Sequence, residues 1–187
     1  MEQQMTKRTI DYPMGSVSTG TMRSEDLIPT FCAELYHAAK VTKTNGHTVG
    51  NVDAKTRKAH VALVAEIEAK IEADSEGYYA SEDADYDLNE RLFDALECYA
   101  GPYFYFGAHP GDGSDYGYWL SEDWDEEFQT LDHNVIGPAA MPFSLKVDDL
   151  CEVPAWFHGE VAHVNDHGNV TLYSKSDRKF TEIWSVV

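Results

Sequence analysis

Basic side chains are what this sequence has least of for its size. Fourteen Lys and Arg stand against 33 Asp and Glu, a formal net charge of −19 over 187 residues. A surface that negative repels phosphate polymers and anionic membranes, which excludes nucleic-acid or membrane binding through general surface charge. Cysteine is sparse too. Cys32, Cys98 and Cys151 lie far apart without a CxxC pair, which argues against a disulfide framework and for free thiols in a reducing compartment. No apolar run approaches the roughly 18 residues of a membrane span. The N-terminal MEQQMTKRTIDYPMG lacks the apolar stretch of a secretory signal. These absences predict a cytoplasmic protein. Internal repeats are missing, as are G-x-S-x-G, Walker A, GxGxxG and HExxH, so no complete catalytic signature is present and no cofactor is implied.

Hydrophobic residues make up 43% and aromatics 12%, enough to fill a core. Residues 1–20 read as a polar arm or an edge strand, and 21–187 as a single α+β domain, helical over 24–100 and β-rich over 102–187. A helix is predicted from Ser24 to Lys40, with Ser24 as its cap, Glu25 and Asp26 at the positive end of the dipole, and Pro29 in its first turn. Residues 41–51 read as a flexible loop. A second helix, 53–74, puts His60, Val64, Ile67 and Ile71 on one face, where His60 reads as a satisfied core histidine. A third, 81–99, stacks Leu88, Leu92, Leu96 and Tyr99. The remainder reads as strands. YFYFGA and YGYW flank HPGDGSD as a hairpin with a long loop. FHGEVAHV, NVTLYSK and FTEIWSVV, separated by NDHG and SDRK, form an antiparallel meander. Ile183 and Trp184, as neighbours on a strand, face opposite sides. Helices first and strands afterwards make the class α+β, with N-terminal helices packed against a C-terminal antiparallel meander.

The negative charge is concentrated. Residues 71–132 hold eighteen acids and one base, Arg91. At 100° per residue, Asp83, Asp87, Glu90, Asp94 and Glu97 fall within an arc of about 80°, opposite the leucine face. They form a row about 21 Å long at a rise of roughly 1.5 Å per residue. Like charges at this spacing cost about 0.2–0.5 kcal/mol per pair, and Arg91 alone is available to relieve them. A second cluster gathers Glu122, Asp123, Asp125, Glu126 and Glu127 around Trp124. An acid-rich face also serves solubility alone. Read functionally, the row copies the charge of a nucleic-acid backbone, and Trp124 is an aromatic anchor inside a polar rim.

Other groupings carry less. His109, Asp112 and Asp115 sit within one seven-residue loop and would suit a divalent ion, but the order of a calcium loop is missing. Glycine and aspartate are also ordinary turn residues. His163 and His167 have metal-pair spacing only on a helix, and here a strand runs into a turn. Cys98 lies near a helix C-terminus, without the positive dipole end that would activate a thiol.

The stretches STGTMRSEDLIPTF, YFYFGAHPGDGSDYGYW and GEVAHVNDHGNVTLY resemble those of short acidic proteins of unassigned function encoded by phages and plasmids. The resemblance spans most of the chain. It supplies no catalytic residue and implies a mobile-element context, in which acidic inhibitors of restriction or CRISPR enzymes are a known class. No motif of a named antirestriction family is present. The leading expectation is a non-enzymatic inhibitor that binds a basic, nucleic-acid-handling protein by polyanion mimicry. A small metal-dependent enzyme using His109, Asp112 and Asp115, or a phage assembly protein, are the alternatives.

Overall fold

Helix α1 (Ser24–Lys40) begins where the sequence places it, but its cap differs. Arg23 occupies the extended cap position without a side-chain cap bond, and Ser24 already lies in the first turn. The Thr21 hydroxyl instead donates to Asp26 at 2.7 Å, holding an acid at the positive helix end. Pro29 lies inside the helix rather than in its first turn, on the exposed side. The computed structural model describes residues 10–11, 13–41, 43–44, 47–49, 52–101, 103–130 and 144–185. The chain divides into two compact units, Met1–Ser121 and Glu122–Val187. Its class is α+β, with helices in the first half and an antiparallel-rich sheet at the C-terminal end.

In the first unit, strands β1 (Ile10–Asp11) and β2 (Gly15–Ser18) precede α1. The expected 41–51 loop contains two short paired strands, β3 (Lys43–Thr44) and β4 (His47–Val49), and β1 runs parallel to β4. Helix α2 (Ala54–Ala73) is capped by Asp53, whose carboxylate accepts from the Lys55 and Thr56 amides at 2.8 and 3.1 Å. Its buried residues, Arg57, His60, Val64 and Ile67, recur at the predicted helical spacing. Arg57 fastens the end of α1 by donating to the Ala38 carbonyl at 2.6 Å, a cation at the negative dipole end. His60 shares a 3.0 Å hydrogen bond with the Tyr99 hydroxyl, so it is a satisfied core histidine. A short helix, α3 (Ser75–Tyr79), was not legible in the sequence.

The third predicted helix is broken in register. It runs as α4 (Glu82–Tyr86), a π-helical stretch (Asp87–Leu92) and α5 (Phe93–Glu97). Strands β5 (Phe104–His109) and β6 (Asp112–Leu120) then pair, with β2 on the far side of β6. The strands extend further than predicted, leaving only Pro110 and Gly111 between them in place of a long loop. The helices and this sheet share one core. At its centre Phe31 is fully buried and meets Phe93, Phe106 and Tyr116 edge-on at 5.6, 5.1 and 5.8 Å, the arrangement that aromatic quadrupoles favour.

The second unit is a five-stranded sheet, ordered β11-β10-β9-β8-β7. The predicted meander is β9 (Gly159–Val164), β10 (Val170–Ser176) and β11 (Lys179–Ser185), all antiparallel. Two strands extend it in parallel, β7 (Gln129–Thr130) and β8 (Ser144–Val147). Asn165 closes the first turn by accepting from the His167 and Asn169 amides, and Gly168 supplies the positive φ of 81°. The Lys175 ammonium is buried and donates to the carbonyls of Ala155, Phe157 and Asp177 at 3.2, 2.8 and 2.7 Å. It therefore ties β10 to the loop before β9 and to the turn after it. Ile183 is exposed and Trp184 half-buried, so neither is fully buried.

Candidate functional site: the acidic helix

Of the five carboxylates expected in a row, the structure turns one inward. Asp87 is 0% exposed. Its carboxylate accepts from Lys70 Nζ at 2.8 Å, the Tyr78 hydroxyl at 3.0 Å and Arg91 at 2.7 Å. The burial goes together with an irregular helix. From Asp87 to Leu92 the backbone is π-helical, and the Phe93 amide donates to two carbonyls, those of Glu90 and Leu88, three and five residues back. Each residue then advances less far round the axis than in an α-helix, so a regular 100° wheel misplaces the residues along this stretch. On that wheel Asp87 was already the row member nearest the apolar face.

Two cations neutralise Asp87, and both also reach Glu66 of α2. Arg91 grips Glu66 with two bonds, 2.7 and 2.9 Å, and Lys70 stands 3.6 Å from it. The bonds from Arg91 hold the Glu66 carboxyl down at about 2. Burial by itself would raise the Asp87 carboxyl, but the donors from Lys70, Arg91 and Tyr78 outweigh it and hold the group below its ordinary value. Nearby Cys32 is pushed up to about 12, mainly by burial and further by Glu68 and Asp87. That thiol is inert.

Asp83, Glu90, Asp94 and Glu97 remain exposed. Among the described residues no Lys or Arg lies within ion-pair distance of any of them. Arg91, the sole base of residues 71–132, is already committed to Glu66 and Asp87. Glu97 has a structural task as well, accepting from the Phe106 amide at 2.6 Å and so anchoring β5 to α5. Reading by charge alone passed over Tyr86. It is 59% exposed and stands between Asp83 and Glu90 at helical spacing, so its position on the polar face was a usable signal.

The second cluster lies in the other unit and is partly self-neutralised. Trp124 opens a 3₁₀ turn (Trp124–Glu127) and is half-buried. Its ring packs edge-on against Phe128 at 5.6 Å and takes the Lys146 ammonium at 5.4 Å. Lys146 also pairs with Asp125 at 2.7 Å. Trp124 is thus half-buried, with its ring already engaged by Phe128 and Lys146. Glu122, Asp123 and Glu126 are exposed, and the Glu127 side chain lies outside the described residues.

The HPGDGSD segment does not assemble a donor set. His109 accepts from the Gly111 amide and packs on Trp119 at 4.6 Å. Asp112 accepts from the Ser114 amide and hydroxyl at 2.9 and 2.7 Å. Asp115 accepts from the Ser16 hydroxyl at 3.0 Å, joining β2 to β6. The pairing of β6 with β5 breaks between Asp112 and Tyr116, and the two carboxylates turn to separate partners, Ser114 and Ser16. Among the described residues no group of three His, Cys, Asp or Glu is placed to hold a metal ion. His163 bonds to the Asp148 carbonyl, and His167 sits in the hairpin turn. An open cleft of about 430 Å³, lined by Glu25, Ser75, Glu76, Tyr79 and Ala80, adds further negative charge. No helix among the described residues is long and apolar enough to cross a membrane.

No protein family, curated protein or solved structure matches this chain.

Proposed function

We propose that this protein is a non-enzymatic inhibitor that binds a basic, nucleic-acid-handling protein by presenting the α4–α5 helix as a polyanion. One observation carries the reading. Arg91, the only nearby base in sequence, is taken up by its ion pairs with Glu66 and Asp87, and Asp83, Glu90 and Asp94 stand exposed without a paired cation among the described residues. A face meant only for solubility usually mixes both signs. Here the single base is already paired, with Glu66 and Asp87. Tyr86 adds a large exposed ring of the type that anchors interfaces and that stacks on guanidinium groups. The resemblance to acidic phage and plasmid proteins supports a counter-defence setting, with the host cytoplasm as the place of action. The cluster around Trp124 would add charge through Glu122, Asp123 and Glu126.

The test is competition. Asp83→Asn, Glu90→Gln and Asp94→Asn together remove three charges and keep the shape, while Asp87 is left alone because it is buried. Relief of like-charge repulsion leaves the helix no weaker. A basic partner is captured from host lysate at low and high salt, and its labelled duplex is then challenged. The wild-type protein is expected to displace the duplex, less so as salt rises, and the triple variant to compete poorly. Equal competition by both, or binding that ignores salt, would overturn the reading.

A further inference from the structure

The π-helical stretch begins at buried Asp87, and inside it the Asn89 side-chain amide donates to the Asp85 carbonyl at 3.0 Å, a bond that competes with the helical ladder. Residues 82–97 contain neither proline nor glycine, the common causes of an irregular helix. The spacing of Leu88, Leu92, Leu96 and Tyr99 is that of a plain α-helix, with α-helical segments on both sides. The feature that ties the stretch to other elements is the set of bonds on Asp87. Lys70 comes from α2, Tyr78 from α3 and Arg91 from the stretch itself. Cys32 of α1, also buried, is close enough to feel the charge.

We propose that the ion cluster on Asp87 holds the helix in this register, and that the same helix has a second, fully α-helical register in which residue 87 lies on the exposed row. Two features make the exchange feasible. Neither cation depends on Asp87 alone, because Arg91 also makes two bonds to Glu66 and Lys70 stands 3.6 Å from the same carboxylate. Both are also partly exposed, at 27% and 32% of their side chains, so water replaces what Asp87 gave. Against these stands the repulsion that Asp87 meets beside Asp83 and Glu90 on the surface, together with the loss of the Tyr78 bond. These terms favour the buried register in the isolated protein. A cationic surface laid along the row removes the repulsion and thereby favours the other. The register itself is a property of the isolated chain, so it stands or falls apart from the polyanion reading.

Hydrogen-bond scalar couplings in the isotope-labelled protein report the register directly. In the wild type the Phe93 amide is expected to couple to the Leu88 and Glu90 carbonyls, the two acceptors the structure gives it. In Asp87→Asn, which keeps the shape and removes the charge, it is expected to couple to Asn89. Persistence of the Leu88 coupling in that variant would overturn the proposal. Should Asp87→Asn fail to fold, Tyr78→Phe keeps all four charges and removes one of the three donors. A weakened Leu88 coupling with exchange broadening over residues 87–93 then supports the second register, and an unchanged coupling overturns it.

Discussion

At the scale of single residues, charge in this protein means different things at neighbouring positions. Asp83 and Asp87 are one helical turn apart in sequence, yet one is solvated and the other has three donors and no exposure. The consequence is a pH dependence of known sign. Glu66 sits near 2 in the folded protein against an ordinary 4.5, and Asp87 also lies below its ordinary value. Groups depressed in the folded state stabilise it above their unfolded range, and that contribution is lost as pH falls toward the folded value. The urea midpoint is therefore expected to drop between about pH 5 and about pH 3. Glu66→Gln should start lower and fall less steeply over the same interval. Parallel slopes for the two proteins would show that the Glu66–Arg91 pairing contributes nothing to acid sensitivity.

At the scale of elements, the edge of the first sheet depends on an absent side chain. Gly117 of β6 faces β2, and a Cβ there would meet the Gly15 carbonyl oxygen at 2.1 Å and the Ser16 Cα at 2.9 Å. Both are backbone atoms, so no rotamer change makes room. Gly117→Ala is thus expected to push β2 off β6, breaking the pairing of Gly15 and Ser16 with Tyr118 and Gly117. It also draws Ser16 away from Asp115. Hydrogen exchange should show lost protection at residues 15–18, with α1 and α2 little changed. Retained protection at those amides would mean that β2 does not depend on this close approach.

Over the whole molecule, a net charge of −19 sets a background of self-repulsion that opposes the folded state. Surface charges are screened beyond about 8 Å at physiological salt, whereas the Asp87 bonds are buried contacts at 2.7–3.0 Å that salt weakens far less. The melting temperature is therefore expected to rise, by about a few degrees, as sodium chloride is raised from about 20 mM to about 500 mM. Scanning calorimetry measures it. A falling melting temperature would show that the ion pairs, not the repulsion, dominate the salt response.

The sequence by itself determined the elements whose signals are local. The span of α1, the Asp53-headed α2 and the three-stranded meander arise from apolar period, capping and turn chemistry, all of which act over a few residues. The concentration of acid in 71–132 is likewise a fact of sequence. Tertiary structure decided which charges are available. A helical wheel assumes one rotation per residue, and only contacts from α2 and α3 could bury Asp87. Those same contacts consume Arg91. Trp124 met Lys146, some twenty residues away in sequence, and its ring is engaged there. In each case the deciding partner arrives from another element, and charge or burial at one position is settled by what the fold brings against it.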